Sequence, residues 1–293
     1  MSKKYFVILG LSLAVGFLFL NASVVKAETW TWTGAGDKQT WTDAANWGLS
    51  ANAGANQYPG ATSTPDVVIT ANTVGLRVYA TTTLPYGVNT LVLGAANVGW
   101  TLYIGGANFG ASSTISVIGT STLALATSTY GAGTLNLGQV AAGAPLTLPA
   151  TATFTAATGT VAYIGTSPTG IIVATTTFYN LNLTPTSTSA LVTYDFGAPA
   201  AAQVRQVATT TVSNVLTVSP AAVADFNGIT DLLLSGSGTV FSKANGAFVQ
   251  SSKVVYSSTS ATNIATGTYA NLELTGAVTK TLLGNTTATS TVT

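Results

Sequence analysis

The sequence predicts an all-β fold, read as a β-solenoid resembling a right-handed parallel β-helix, with a row of tandem β-sandwich domains as the alternative. Three observations carry this. From about residue 66 onward, short runs of Val, Ile, Leu and Tyr alternate with Gly, Thr, Ser and Asn clusters, the pattern of strands bounded by turns. No stretch beyond residue 28 keeps the i, i+3, i+4 apolar spacing of an amphipathic helix for more than a turn or two. A long segment also recurs later in the chain.

The strand candidates follow in order as Asp66 to Thr70, Thr90 to Gly94, Thr101 to Gly105, Thr114 to Gly119 and Gly133 to Gly138. The Ala-rich passage Ala198 to Ala202 is the one helix-like stretch, and Pro199 argues against it by removing a backbone donor. The recurring segment reads Val161-Ala162-Tyr163, a loop, then Thr176 to Thr184; it returns as Val254-Val255-Tyr256, a loop, then Gly267 to Thr275. Val161 and Val254 are 93 positions apart and Asn180 and Asn271 are 91 apart, so the copies keep register except for one small deletion. Each copy exceeds the ~20–45 residues of one solenoid unit, so each should contain several strand turns. Alternation in Asn180-Leu181-Asn182-Leu183 and Asn271-Leu272-Glu273-Leu274 sends leucine to one face and polar groups to the other. Stacked leucines on the inner face would build a core without helices or disulfides. A sandwich would need similar short strands, but the scattered Gly-Thr-Leu and Ser-Thr-Leu units favour the solenoid.

Residues 1–27 read as a secretory signal peptide. Lys3 and Lys4 precede an apolar run from Tyr5 to Leu20, and Val25 and Ala27 are the small residues of a cleavage site, placing the mature start at Glu28. The competing reading is an uncleaved anchor, for which the run is short against the ~20 residues of a spanning helix. The expected organisation is therefore a signal peptide over 1–27, a Trp-rich cap segment over 28–75 and a repetitive solenoid region over 76–293. The last run, Thr286 to Thr293, matches Thr209 to Val218 of the first copy but stops where that copy continues. The chain is thus expected to be a fragment truncated at its C-terminus, or a subunit whose last strand pairs with another chain.

Composition narrows the function. Charged residues make up 6% of the chain, against about 25% in ordinary globular proteins. Without Lys3, Lys4 and Lys26, six of the 9 basic residues remain beside 8 acids, which leaves no basic patch for nucleic acid. Histidine and cysteine are absent, which removes the usual zinc ligands, the imidazole base and the thiolate nucleophile. Gly34-Ala35-Gly36 and Gly105-Gly106 lack the Gly-Lys-Ser/Thr ending of a phosphate loop, so no nucleotide, cofactor or metal site is expected. A glycosidase needs two carboxyl groups across a cleft. Asp225 and Asp231 are the acids of the strand region closest in sequence, and an ordinary glycine loop explains them equally well. Arg205 and Lys253 could serve a lyase but read more simply as solvated surface charges.

Residues 30–70 carry four of the five tryptophans, in Trp30-Thr31-Trp32-Thr33-Gly34-Ala35-Gly36-Asp37 and Trp41-Thr42-Asp43-Ala44-Ala45-Asn46-Trp47, followed by Pro59-Gly60 and Asp66-Val67-Val68-Ile69. This arrangement resembles the opening segment of bacterial secreted adhesin-like and autotransporter-type β-helix surface proteins. The resemblance covers about 40 residues and implies export and a filamentous or adhesive role, with no catalytic residues. Trp32, Trp41 and Trp47, with Trp30, could stack on sugar rings as ligand-binding residues, but the favoured reading is that they cap the open end of a solenoid. Asp43 with Asn46 fits a local turn. The function expected is a secreted, cell-surface structural or adhesive repeat protein that is not an enzyme. Its partners would be cell-surface glycans, other surface proteins or further copies of itself. The alternative is an extracellular carbohydrate-binding or carbohydrate-active protein on the same scaffold.

Overall fold

The computed structural model describes residues 28–49, 57–70, 77–127, 129–166, 170–186, 191–196, 209–227, 229, 231–243, 247–249, 253–276 and 278–293. Residues 1–27, read above as a signal peptide, the Ala-rich passage 198–202 and Arg205 lie outside them. The fold is all-β, and among the described residues the only helical element is the single 3₁₀ turn Ala44–Asn46.

Strand pairing is parallel almost throughout. The chain visits a first sheet at Thr29–Trp32, Asp66–Ile69, Thr90–Leu93, Ile115–Val117 and Leu146–Thr147, each pairing in parallel with the next. Alternating with these visits, it adds strands to a second sheet at Arg77–Ala80, Thr101–Ile104, Thr122–Ala124 and Thr153–Thr155. A third and longer sheet starts at Asn108–Ala111 and runs through Thr134–Leu137, Thr160–Tyr163, Thr177–Leu183, Thr210–Val218, Asp231–Leu234, Lys253–Tyr256 and Gly267–Leu274 to Thr286–Val292. Later visits build Ile171–Val173, Val192–Phe196, Ala222–Asp225 and Ala247–Val249 into a fourth ladder. The sandwich alternative is set aside by this pairing, because sandwiches are made of antiparallel sheets. Among the described residues, antiparallel strand pairs occur only where Trp47–Leu49 closes the first sheet against Thr29–Trp32 and in a two-rung hairpin, Ala126–Thr127 with Gly131–Ala132.

Alternation along each strand turns parallel register into stacked columns. Val67, Leu91, Ile115 and Leu146 are consecutive partners and all buried. Val78, Leu102 and Leu123 do the same in the second sheet, and Phe109, Leu135, Val161, Leu181, Leu216 and Phe241 in the third. Each such aliphatic side chain contributes about 1.5–3 kcal/mol relative to exposure, and one apolar cluster extends from Trp30 to Leu272. Leu181, Leu183 and Leu272 lie in it, with Leu274 partly buried against it. Outward positions carry polar ladders instead: the Asn214 side-chain amide donates to Asn180 Oδ1 at 2.7 Å, and that of Asn180 donates to Thr160 Oγ1 at 3.3 Å.

The internal repeat extends to irregularities. Thr177–Leu183 pairs with Thr210–Val218 with one extra residue on the latter strand, between the partners of Phe178 and Asn180. Gly267–Leu274 pairs with Thr286–Val292 with the same insertion, between the partners of Tyr269 and Asn271. A bulge at matching positions is a shared structural device rather than a coincidence of composition. The buried tyrosines match too, since Ala174 N–H donates to the Tyr163 hydroxyl at 3.0 Å and Ala265 N–H to the Tyr256 hydroxyl at 3.3 Å.

Candidate functional site

Trp32, Trp41 and Trp47 are brought together, but inside the molecule. The Trp47 ring makes edge contacts with Trp32 and Trp41, each at a centroid distance of 4.8 Å, and Trp41 continues to Phe109 at 5.0 Å. Trp32 also meets Trp100, the fifth tryptophan, at 6.4 Å. Trp41 is fully buried, and its indole N–H donates to the Pro59 carbonyl at 3.0 Å while that of Trp47 donates to the Trp41 carbonyl at 2.7 Å. Edge-to-face packing of this kind adds about 0.5–1.5 kcal/mol per pair beyond area burial. In this conformation the rings are engaged with one another and with the first rungs of the core, not open to a ligand.

The segment that carries them is tied by polar side chains. Asn46 is buried, and its Oδ1 accepts Gly36 N–H and Lys38 N–H, both at 3.0 Å, while its amide donates to Asp37 Oδ1 at 2.7 Å and to the Thr40 carbonyl at 3.1 Å. Asp37 Oδ1 accepts further from Gln39 and Thr40 N–H, and Asp43 Oδ2 from Asp37 N–H. Some desolvation opposes charge on Asp37, but hydrogen bonds from Thr40, Gln39 and Asn46 outweigh it and hold the carboxyl well below the usual range. Asp43 also caps the 3₁₀ turn by accepting Ala45 N–H at 3.0 Å. The local turn expected at Asp43 and Asn46 is thus a knot spanning residues 33–46.

The carboxylates group differently from their sequence order. Asp225 does not pair with Asp231; parallel register sets it beside Asp195 on the neighbouring rung of the fourth ladder. Burial, and then the negative charge of Asp225, push Asp195 above the ordinary carboxylate value. The signal was present as a repeated Asp-Phe dipeptide, Asp195-Phe196 and Asp225-Phe226, whose phenyl rings pack 4.7 Å apart. Asp231 instead faces Lys253, whose Nζ lies 3.7 Å from it and 2.7 Å from Glu273 Oε2. The hydrogen bond that it donates to Glu273 Oε2 is the main influence holding that ammonium protonated above its usual value, the wrong direction for a general base.

A group that sequence reasoning missed lies on the outside of the second sheet. Tyr79 and Tyr103 are register partners whose rings stack at 5.1 Å and 11°, and Tyr130 approaches Tyr79 at 5.8 Å. Their spacing in sequence gives no hint of contact, because the ladder register alone joins them. No family model, curated protein or solved structure matches this chain.

Proposed function

We propose that this chain is a secreted or cell-surface structural or adhesive repeat protein without catalytic activity, built as a right-handed β-solenoid and akin to adhesin-like surface proteins. The observation that carries the reading is the parallel ladder from Asn108–Ala111 to Thr286–Val292, in which strand after strand extends one sheet in a single direction. Such a ladder lengthens a molecule without enclosing a cleft, which suits a stalk or spacer better than a catalyst. Parallel connections within one sheet are right-handed in about 98% of cases, which supports the handedness. A surface built from Thr, Ser, Asn and Gly, with 6% charged residues, supports side-by-side packing outside the cell because little charge repulsion keeps copies apart. The segment before Glu28 supports export.

The test is direct. The gene is expressed with its own leader in a bacterial host, and intact cells are treated with protease before fractionation. The expected result is a chain beginning at Glu28, lost on protease treatment and seen as a rod by electron microscopy. A chain retained in the cytoplasm with Met1 to Ala27 intact would overturn the reading.

A further inference from the structure

Tyr79 and Tyr103 occupy outward positions, since Val78, Ala80, Leu102 and Ile104 beside them all face the core. Core packing therefore does not account for their aromatic rings. The third ring comes from the hairpin Ala126–Thr127 with Gly131–Ala132, whose turn carries Tyr130, 47% exposed. The backbone beneath is shaped to receive it: a Cβ on Gly105 would meet Tyr130 Cβ at 2.8 Å. On Gly106, at φ +64°, a Cβ would meet the Tyr130 carbonyl oxygen at 2.6 Å. Arg77 stands two residues before Tyr79 on the same outward face, where Tyr79 and Tyr103 favour its charged form. No acid occurs in sequence between Asp66 and Asp195, and among the described residues no carboxylate forms an ion pair with this guanidinium.

Aromatic rings held at a surface offer flat faces for the CH groups of sugar rings. A guanidinium has five donors in a planar fork that matches a carboxylate. We propose that Tyr79, Tyr103, Tyr130 and Arg77 form a binding site for an acidic glycan, a polysaccharide containing uronic acid residues, with the tyrosines stacking on sugar rings and Arg77 pairing with the carboxylate. The site deepens the surface-protein reading, because an extracellular chain would meet such polymers, but its chemistry does not depend on where the chain is located.

The test is electrophoresis of the purified full chain through native gels containing alginate, polygalacturonate or hyaluronan, with dextran as the neutral comparison. The wild type is expected to be retarded by at least one acidic polymer and not by dextran. Tyr79→Ala/Tyr103→Ala and, separately, Arg77→Gln should each weaken retardation about tenfold or more, which corresponds to about 1.4 kcal/mol, whereas Tyr86→Ala, at an exposed tyrosine outside the group, should not. If the double variant unfolds, Arg77→Gln alone decides, since it removes an exposed charge and no core contact. Absence of retardation in all three acidic gels, equal retardation by dextran, or full retention by Arg77→Gln would overturn the proposal. Protease treatment of cells reads location and these gels read binding, so either reading can fail alone.

Discussion

The Tyr256 hydroxyl lies 3.0 Å from the Tyr269 hydroxyl in the core, and the two close a ring of hydrogen bonds with Ala265. Ala265 N–H donates to Tyr256 at 3.3 Å, and Tyr269 donates to the Ala265 carbonyl at 2.8 Å, so Tyr256 must donate to Tyr269. Every member is buried, so loss of one hydroxyl leaves others unsatisfied. Tyr269→Phe is expected to cost about 1–3 kcal/mol, read as a lower urea midpoint at unchanged slope. An unchanged midpoint would mean that the ring does not form.

Burial pushes the phenols of Tyr163, Tyr194, Tyr256 and Tyr269 above their ordinary value. The folded state therefore keeps protons that the unfolded chain releases near pH 10. Their contribution is complete below that pH and declines as pH rises toward the folded values, by about 1.4 kcal/mol per pH unit for each tyrosine. Denaturation midpoints are expected to be level from about pH 8 to pH 9.5 and to drop steeply by about pH 11.5. A flat profile across that range would contradict the burial of these groups.

Much of the fold was legible because alternation is a local property: Leu181, Leu183 and Leu272 declare their inward face within four or five residues of sequence. The repeat was legible for the same reason, down to segments that share a bulge. Lateral neighbours were not. Whether Asp225 meets Asp231 or Asp195 depends on register between strands, which loop lengths fix and local pattern does not. Sequence also marked Trp41 and Trp47 as special and favoured a packed cap over a sugar surface, but it did not give their partners, such as Phe109 against Trp41, which lie far away along the chain.

Asp195 and Asp225 place two carboxylates on neighbouring rungs of one ladder. Like charges directly opposite are destabilising by a few tenths to about 1 kcal/mol. Because the folded state raises the Asp195 pKa, the penalty is present at neutral pH and fades as pH falls and the group takes up a proton. Asp195→Asn is expected to raise the melting temperature at pH 7 and to leave it unchanged near pH 3, measured by circular dichroism. Stabilisation of equal size at both values would assign the effect to something other than charge.

Asn46 offers the sharpest test of the N-terminal knot, because all four of its side-chain hydrogen bonds have a defined direction. Its Oδ1 accepts Gly36 and Lys38 N–H, and its amide nitrogen donates to Asp37 Oδ1 and the Thr40 carbonyl. Asn46→Asp keeps the shape and the accepting oxygen but replaces the donor with a second oxygen, 2.7 Å from Asp37 Oδ1 if nothing moves. Asp37 is held ionised by its remaining donors, so at neutral pH two negative groups would face each other where a hydrogen bond now stands. The expected loss is about 1.5–3 kcal/mol at pH 7. It should shrink as pH falls, because the introduced carboxyl, raised by its neighbour, takes up a proton first and regains one donor. Asn46→Ala, which introduces no charge, should be destabilised at both pH 7 and pH 4. Urea unfolding followed by tryptophan fluorescence reports on the site directly, since Trp47 is adjacent in sequence and buried. If Asn46→Asp is as stable as the wild type at pH 7, the amide does not donate to Asp37, and the carboxylate is held by the backbone N–H groups of Gln39 and Thr40 alone.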